Sequence, residues 1–487
     1  MLALVLCTGA ALRTLLVMGY RPAILNYPDT WGYVRAAAGP LFHADDVRPV
    51  GYALLLRAVH PVLPTIQLVI IAQHVAGIGC AVLSYAIVRR LGWPTWSALI
   101  PAAVVALSPD ILYFEHSLLS ETAFMGALLV ATYAGVRSLG TSGDAKGIKS
   151  AVIWFVVTGL ALGAAMVIRS SGIFAAGVMV VIFCLRRERL RIRAAQVGCV
   201  VAGAMTVIVP YATAHYASSG TFALSGGGGW ALYARAAPFA DCDRFNPPRR
   251  ATVLCENTDP VDRYGGDFYS WQQDSPGRKA FGGPPSEDGT VGGFGRAAIL
   301  GEPGAYLRAV ARDLWRYVDV RAKAPPYSGS GPGALGLGIR DARVEQLNRS
   351  VAEPYFGQYD IQVSWPSRPV ARLQPVLRVP GPLLLVCGLL LLAGLVTTRG
   401  RDRVAIAVIG LPALAVPFGS VALGIYGWRY AVPILPEYVA GGAIGAAALL
   451  RRARTGRRPI VAEDPSIGVD DHAEARTATT ASSKPVE

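Results

Sequence analysis

The chain has 487 residues, of which 53% are hydrophobic and only 16% charged, with a mean hydropathy of +0.40. A soluble protein of this length carries more charge, so the composition excludes an ordinary water-soluble fold and points to several membrane helices. The formal net charge of +14 does not mark a nucleic-acid binder, because the basic residues gather at one set of hydrophobic-segment ends, the pattern of membrane orientation.

Apolar stretches near the ~20 residues that span a bilayer lie at about 2–19, 66–88, 95–113, 118–137, 150–168, 171–185, 195–214, 380–398, 404–425 and 429–450. The first lacks a basic leader and a small-x-small cleavage site, so it reads as an uncleaved helix. After alternate spans come Arg89–Arg90, the stretch Arg137 to Lys149, "RRERLRIR" at 186–193, "RGRDR" at 399–403 and "RRARTGRR" at 451–458. All five fall on one side if the N-terminus is cytoplasmic. The fold class expected is therefore an all-α polytopic membrane protein of about ten spans, with both termini inside the cell and the long loops outside.

Between the first two spans lie two short amphipathic helices. "NYPDTWGYVRAA" (26–37) is opened by Asp29, and "RPVGYALLLRAVHPVL" follows a helix-starting Pro49. In the second, Tyr52, Leu55, Leu56 and Val59 recur at helical spacing and make one face apolar, as suits a helix lying along a membrane surface. Asp45 and Asp46 read as a solvated turn.

The stretch 215–379 is polar, rich in Gly, Pro, Tyr and Trp, and large enough for a small outer domain. Its clearest helical periodicity is at about 291–323. "SGGGGW" at 225–230 is followed by no Gly-Lys-Ser/Thr, so it reads as a turn and not a phosphate cradle. Five of the seven cysteines fall in or beside apolar spans. Cys242 and Cys255 lie in the outer loop, where oxidation is permitted; they read as a local disulfide, the alternative being two unpaired thiols. The layout is a transmembrane module at 1–214, a loop domain at 215–379, C-terminal spans at 380–450 and a basic, then disordered, cytoplasmic tail at 451–487.

Polar residues at the outer ends of spans carry the functional reading. Asp29 follows span one. Glu115, His116 and Glu121 occupy the turn between spans three and four. Arg169 ends span five, and Arg429 opens span ten. Each has a structural alternative: Asp29 as a helix N-cap, Glu121 as a cap or an arginine's partner, His116 as a hydrogen-bonding residue, and the arginines as interfacial anchors. Arg13 and Glu437 read as charges inside the membrane, which are site candidates by default or neutralise each other or nearby groups.

The order of these features resembles the GT-C glycosyltransferases, particularly bacterial relatives of protein mannosyltransferases and lipid A aminoarabinose transferases. The resemblance rests on an acid in the first outer loop, a juxtamembrane helix pair, the "LLSET" turn, a large loop after span seven and "WRYAVPILP" before the last helix. The passage "LYARAAPFADCDRFNPP…LCE" looks like that of a lipid-carrier-dependent glycosyltransferase group. The resemblance implies transfer of a sugar from a polyprenyl-phosphate donor to an extracytoplasmic acceptor in the cell envelope (a glycan, lipid or protein), with inversion. It also implies Asp29 as catalytic base and Glu121, or else Glu115, positioning acceptor or sugar. Arg169, Arg429 and Arg48 would hold the donor phosphate, and Tyr27, Trp31, Tyr33 and His116 would line the sugar and acceptor pocket. Asp29 is followed by Thr30 where the family pairs two acids, so a divalent metal is a possible cofactor only. A transporter or flippase of lipid-linked sugars, or a non-catalytic scaffold, are the alternative readings; the absence of internal repeats speaks against the transporter.

Overall fold

The computed structural model describes residues 1–42, 47–140, 145–319, 321–337 and 340–455. The expected turn at Asp45 and Asp46 and the expected disordered tail from about 459 lie outside the described residues. Most of the described residues are helical. In order, α1 (Leu2–Gly19) is followed by the short α2 (Asp29–Ala38) and α3 (Gly51–Val59). Then come α4 (Ile66–Arg90), α5 (Thr95–Leu107), α6 (Pro109–Glu115), α7 (Glu121–Ser138), α8 (Ala145–Ile168), α9 (Gly172–Cys184) and α10 (Leu190–Ser219). The one two-stranded pairing among the described residues joins Tyr20–Arg21 to Gln362–Val363, antiparallel, with Tyr20 opposite Val363.

The chain is a multi-pass membrane protein. Among the described residues five helices are long and apolar enough to cross a bilayer: α1, α4, most of α8, α10 and Gly400–Leu423. The number rises to seven if two bent pairs each count as one span. These are α5 with α6, bent by 52°, and Trp365–Leu377 with Gly381–Thr397, bent by 53°. The expected ten is not reached by this measure, for local reasons. The helix α9 has only 13 residues, while α7 and Leu435–Thr455 begin with a glutamate in the first turn and end on arginines. The last helix also starts later than the apolar run suggests, because Trp428–Tyr430 forms a separate 3-10 turn.

Tight packing of α8 against α10 depends on glycine. A methyl group at Gly159 or Gly203 would run into the carbonyl oxygen of Val200 or Val156 on the facing helix. In lipid, where no hydrophobic force drives helices together, such small-residue contacts let backbones approach and gain dispersion. In α3, Tyr52 and Leu56 are buried while Leu55 is exposed, so part of its apolar face is turned outward.

The stretch around 228–298 builds its own small core from Trp230, Tyr233, Phe245, Tyr269, Val291 and Phe294. Its first helix, Gly228–Ala236, begins inside the glycine run, where Gly227 adopts a left-handed φ of 80°. The Asp288 carboxylate accepts from the backbone N–H groups of Gly229 (2.9 Å) and Trp230 (3.0 Å). The glycine run thus meets a carboxylate of its own chain, which satisfies the helix's first free donors. The expected periodicity at 291–323 resolves into Asp288–Gly301 and Pro303–Trp315, since Pro303 cannot continue a helix but starts one well. Cys242 and Cys255 are disulfide-bonded at the edge of this core. The other five cysteines are free.

The glycine contacts give a direct test. Gly159→Ala and Gly203→Ala should each destabilise by about 1–3 kcal/mol, the usual cost of overpacking, read as a lowered thermal midpoint in detergent. Gly198→Ala, on α10 but with open space at its Cβ, should leave the midpoint unchanged or raise it.

Candidate active site

The segment leaving α1 is tied down at three places before it reaches Asp29. Besides the strand pairing at Tyr20, Ile24 donates its N–H to the His116 carbonyl (2.8 Å). The Asn348 side chain donates to the carbonyls of Leu25 (2.8 Å) and Tyr27 (3.0 Å). Thr30 then donates its hydroxyl to the Leu118 carbonyl (3.1 Å). These bonds seat the first turn of α2 against the 116–121 turn. Pro28 occupies the cap position and makes no side-chain cap, so Asp29 is the first residue of the helix and not its N-cap. Its carboxylate is committed elsewhere.

Arg48 donates to Asp29 Oδ1 at 2.7 Å, and Arg429 pairs with Asp29 Oδ2 at 2.8 Å. Arg429 also donates to Glu121 Oε1 at 2.6 Å. The same Glu121 oxygen accepts from Arg169 at 2.8 Å. Glu121 opens α7 with no side-chain cap present, so of its two sequence readings the arginine pairing is the observed one. Arg169 further donates to Ser120 Oγ, which lies 3.0 Å from the Tyr33 hydroxyl. The Arg429 guanidinium lies 4.9 Å from the centre of the Tyr27 ring, and Arg169 lies 5.6 Å from that of Tyr430. Asp29, Glu121, Arg48, Arg169, Arg429, Tyr27 and Tyr33 therefore meet in one place, although their sequence positions span four hundred residues.

Three guanidinium groups here face two carboxylates in direct contact. Burying such charges is costly unless each is paired, and the surplus positive charge favours an incoming anion. Burial alone would raise the Asp29 pKa, but Arg429, then Arg48 and Arg169, outweigh it and hold the carboxyl well below its usual range. For Arg429, burial would favour the neutral form; Asp29 and Glu121 overcome this and keep it a cation.

The other sequence candidates lie elsewhere, and here the structure corrects the expectation. Glu115 is buried against Arg13 (2.7 Å) and His74 (2.8 Å). His74 in turn contacts His116 (2.9 Å), whose other nitrogen donates to the Tyr20 carbonyl (2.8 Å). Both residues belong to a network that pins the bundle to the segment after α1; they do not face Asp29. The Arg13 charge is thus answered by Glu115, and Glu437 takes no part in that pair. Trp31 lies under the Arg35 guanidinium (4.4 Å), away from the cluster, because it leaves α2 on a different side from Asp29 and Tyr33. Among the described residues no three His, Cys, Asp or Glu side chains converge as metal ligands. Asp29 and Glu121 are each engaged by arginines, so the carboxylates do not fit a metal site as they stand.

Sequence reasoning missed two acids. Asp110, in the first turn of α6, reads as a helix-start acid. It instead accepts from Arg378 (2.7 Å) and from the Trp428 indole (2.9 Å), fixing the turn that carries Arg429. Asp267 lies in the short helix Gly266–Trp271, and nothing in its spacing marks it. Burial pushes its carboxyl up to about 6, against the opposing pull of Arg316, the Gly329 N–H and Arg429.

Comparison with known families finds that residues 70–219 match the model for dolichyl-phosphate-mannose-protein mannosyltransferase. The matched stretch runs from within α4 to the end of α10, under a third of the chain. A comparison with curated protein sequences found no match. Among solved structures, the chain is similar to the Saccharomyces cerevisiae protein O-mannosyltransferase Pmt1–Pmt2 complex bound to the sugar donor. Identity is 17% over 53% of this chain and 37% of that one, with a TM-score of 0.35. It is similar to the Archaeoglobus fulgidus oligosaccharyltransferase AglB in complex with an inhibitory peptide and a dolichol-phosphate: 11% identity, 97% and 52% covered, TM-score 0.44. It is also similar to ArnT from Cupriavidus metallidurans bound to undecaprenyl phosphate: 15% identity, 93% and 78% covered, TM-score 0.37. The chain thus spans about 37% and 52% of the length of the first two.

Asp267 allows a test of the local electrostatics. Its folded pKa lies above the unfolded value of ~3.9, so the group contributes stability fully below that value and loses it as pH rises through about 6. Asp267→Asn removes the ionisation and can still accept from Gly329. The thermal midpoint should rise by about 2–6 °C at neutral pH, and the gain should shrink as pH falls toward the unfolded value.

Proposed function

We propose that this chain is a membrane glycosyltransferase that moves a sugar from a polyprenyl-phosphate donor to a hydroxyl or amine of an extracytoplasmic acceptor. The observation that carries the reading is the convergence of Arg48, Arg169 and Arg429 on Asp29 and Glu121. The family match over 70–219 supports it independently, since that stretch contributes Glu121 and Arg169.

The chemistry suits this residue set. A phosphate leaving group departs as a stable anion, so no strong general acid is required. The arginines bind its oxygens through forked, charge-assisted hydrogen bonds and balance the charge that grows as the C–O bond breaks. The acceptor oxygen or nitrogen attacks the anomeric carbon from the opposite face. Its proton passes to Asp29, and the electron pair of the broken bond goes to the phosphate, with inversion at carbon.

The arginine pairs give Asp29 a second property. Held by Arg48 and Arg429, its carboxylate is a weak base. A phosphate placed among the guanidinium groups shares their donors, draws them from Asp29 and returns basicity to it. Donor binding would thus switch the base on, and an acceptor bound alone would meet a carboxylate too weak to deprotonate it. Glu121, pinned by two arginines, serves in this scheme to position them. Tyr27 and Tyr33 would flank the sugar. The loop domain at 215–379 would cover the site from outside, between the membrane modules at 1–214 and 380–450, with the tail from 451 inside.

Asp29→Asn tests the assignment. General-base catalysis is typically worth ~10²–10⁴-fold, so the variant should insert and bind donor lipid while transfer falls at least about a hundredfold. Near-normal turnover by the purified variant would sink the proposed role. Orientation is checked separately by reporter fusions at Ser286 and Arg452, which should report opposite sides of the membrane; the same side for both would overturn the topology.

A further inference from the structure

Beyond the arginine cluster, a cleft of about 540 Å³ opens in the loop region. Three of its lining side chains are aromatic: Tyr264, Phe268 and Tyr269. Tyr264 is 44% exposed. Its ring lies 4.4 Å from that of Phe268 and 5.5 Å from that of Tyr327, between centres, which holds it in place as a platform.

The charges around the cleft largely answer one another. Arg263 is buried and spends its donors on the carbonyls of Ala237, Ala240, Glu256 and Thr258. Lys279 stands 3.9 Å from Asp274, and Glu256 accepts from the Tyr269 hydroxyl at 2.7 Å. A phosphate or acidic lipid headgroup would meet three carboxylates here, those of Glu256, Asp262 and Asp274, with no uncommitted arginine. A strongly basic peptide would find two of those acids already engaged. The exposed Tyr264 face beside hydrogen-bonding carboxylates suits a ligand with apolar C–H faces and many O–H donors.

The cleft is joined to the arginine cluster by a single helical turn. Phe268 lines the cleft and Trp271 lies one turn further along the helix Gly266–Trp271, a spacing that makes the two side chains neighbours. The Arg48 guanidinium sits 5.6 Å from the centre of the Trp271 ring, and Arg48 holds Asp29. The cleft wall is thus linked to Asp29 through Phe268, Trp271 and Arg48.

Resting on the transferase reading above, we propose that this cleft is the acceptor site and that the acceptor is an uncharged saccharide chain, stacked on Tyr264. The test is saturation-transfer NMR on the full chain in nanodiscs, with mannotetraose, cellotetraose and arabinotetraose as probes and a lysine- and serine-containing pentapeptide for comparison. At least one oligosaccharide should bind. Tyr264→Ala should weaken it by about tenfold or more, and Tyr264→Phe should keep it within about twofold. No oligosaccharide binding, binding indifferent to Tyr264, or binding of the peptide alone would each overturn the proposal. The two readings fail differently. Loss of the cleft assignment leaves Asp29→Asn still defective in transfer. Loss of the transferase assignment leaves Tyr264-dependent sugar binding in a chain that transfers no sugar from a polyprenyl-phosphate donor.

Discussion

Arg429 is the side chain on which the arrangement of the site depends. It contacts Asp29 from the first loop and Glu121 from the start of α7, and it sits in a turn fixed from below by the Trp428–Asp110–Arg378 contacts. A buried guanidinium tolerates loss of its partners poorly, so each carboxylate holds the other's segment in register through the shared arginine. The segment after α1, the 116–121 turn and the 428–430 turn are thereby fastened together with no continuous secondary structure between them.

Two polar networks lie close together and do different things. In the Glu115 network, Arg13 answers the carboxylate, and the histidine pair ends on a backbone carbonyl. It is closed: its charges are matched within the bundle, and its effect is to hold the backbone that precedes Asp29. The Asp29 network is open. It carries more guanidinium groups than carboxylates, part of Arg48 is exposed, and aromatic rings border it. This difference in charge balance, and not the mere presence of buried ions, separates a scaffold from a candidate site.

The polar loop region extends that logic outward. Asp288 at the Gly228–Ala236 start and the Cys242–Cys255 disulfide organise a segment too rich in glycine and proline to be held by helix propensity alone. The resulting small core of Trp230, Tyr233 and Phe294 gives the short helix Gly266–Trp271 a firm base. That helix then presents Trp271 to Arg48. On the transferase reading proposed above, such a link would matter because effective molarity depends on holding two reactants in one geometry.

What the sequence by itself determined follows from properties that are local. Hydrophobic length placed most of the membrane helices, the Pro49 signal and helical spacing located α3, and two cysteines in a polar loop announced their disulfide. The acid after α1, the glutamate of "LLSET" and the arginines at 169 and 429 were legible as candidates because the charge pattern puts all four at span ends on one membrane face. Their partners were not legible. Glu115 and Glu121 stand six residues apart in one turn, and their spacing gives no hint that one faces Arg13 and His74 while the other faces Arg169 and Arg429. Asp110 and Asp267 carried no signal at all, since an acid near a helix start is ordinary. Only the tertiary structure decided these pairings. Which charge neutralises which depends on distance and burial across hundreds of residues, and neither quantity is encoded in any local window of the chain.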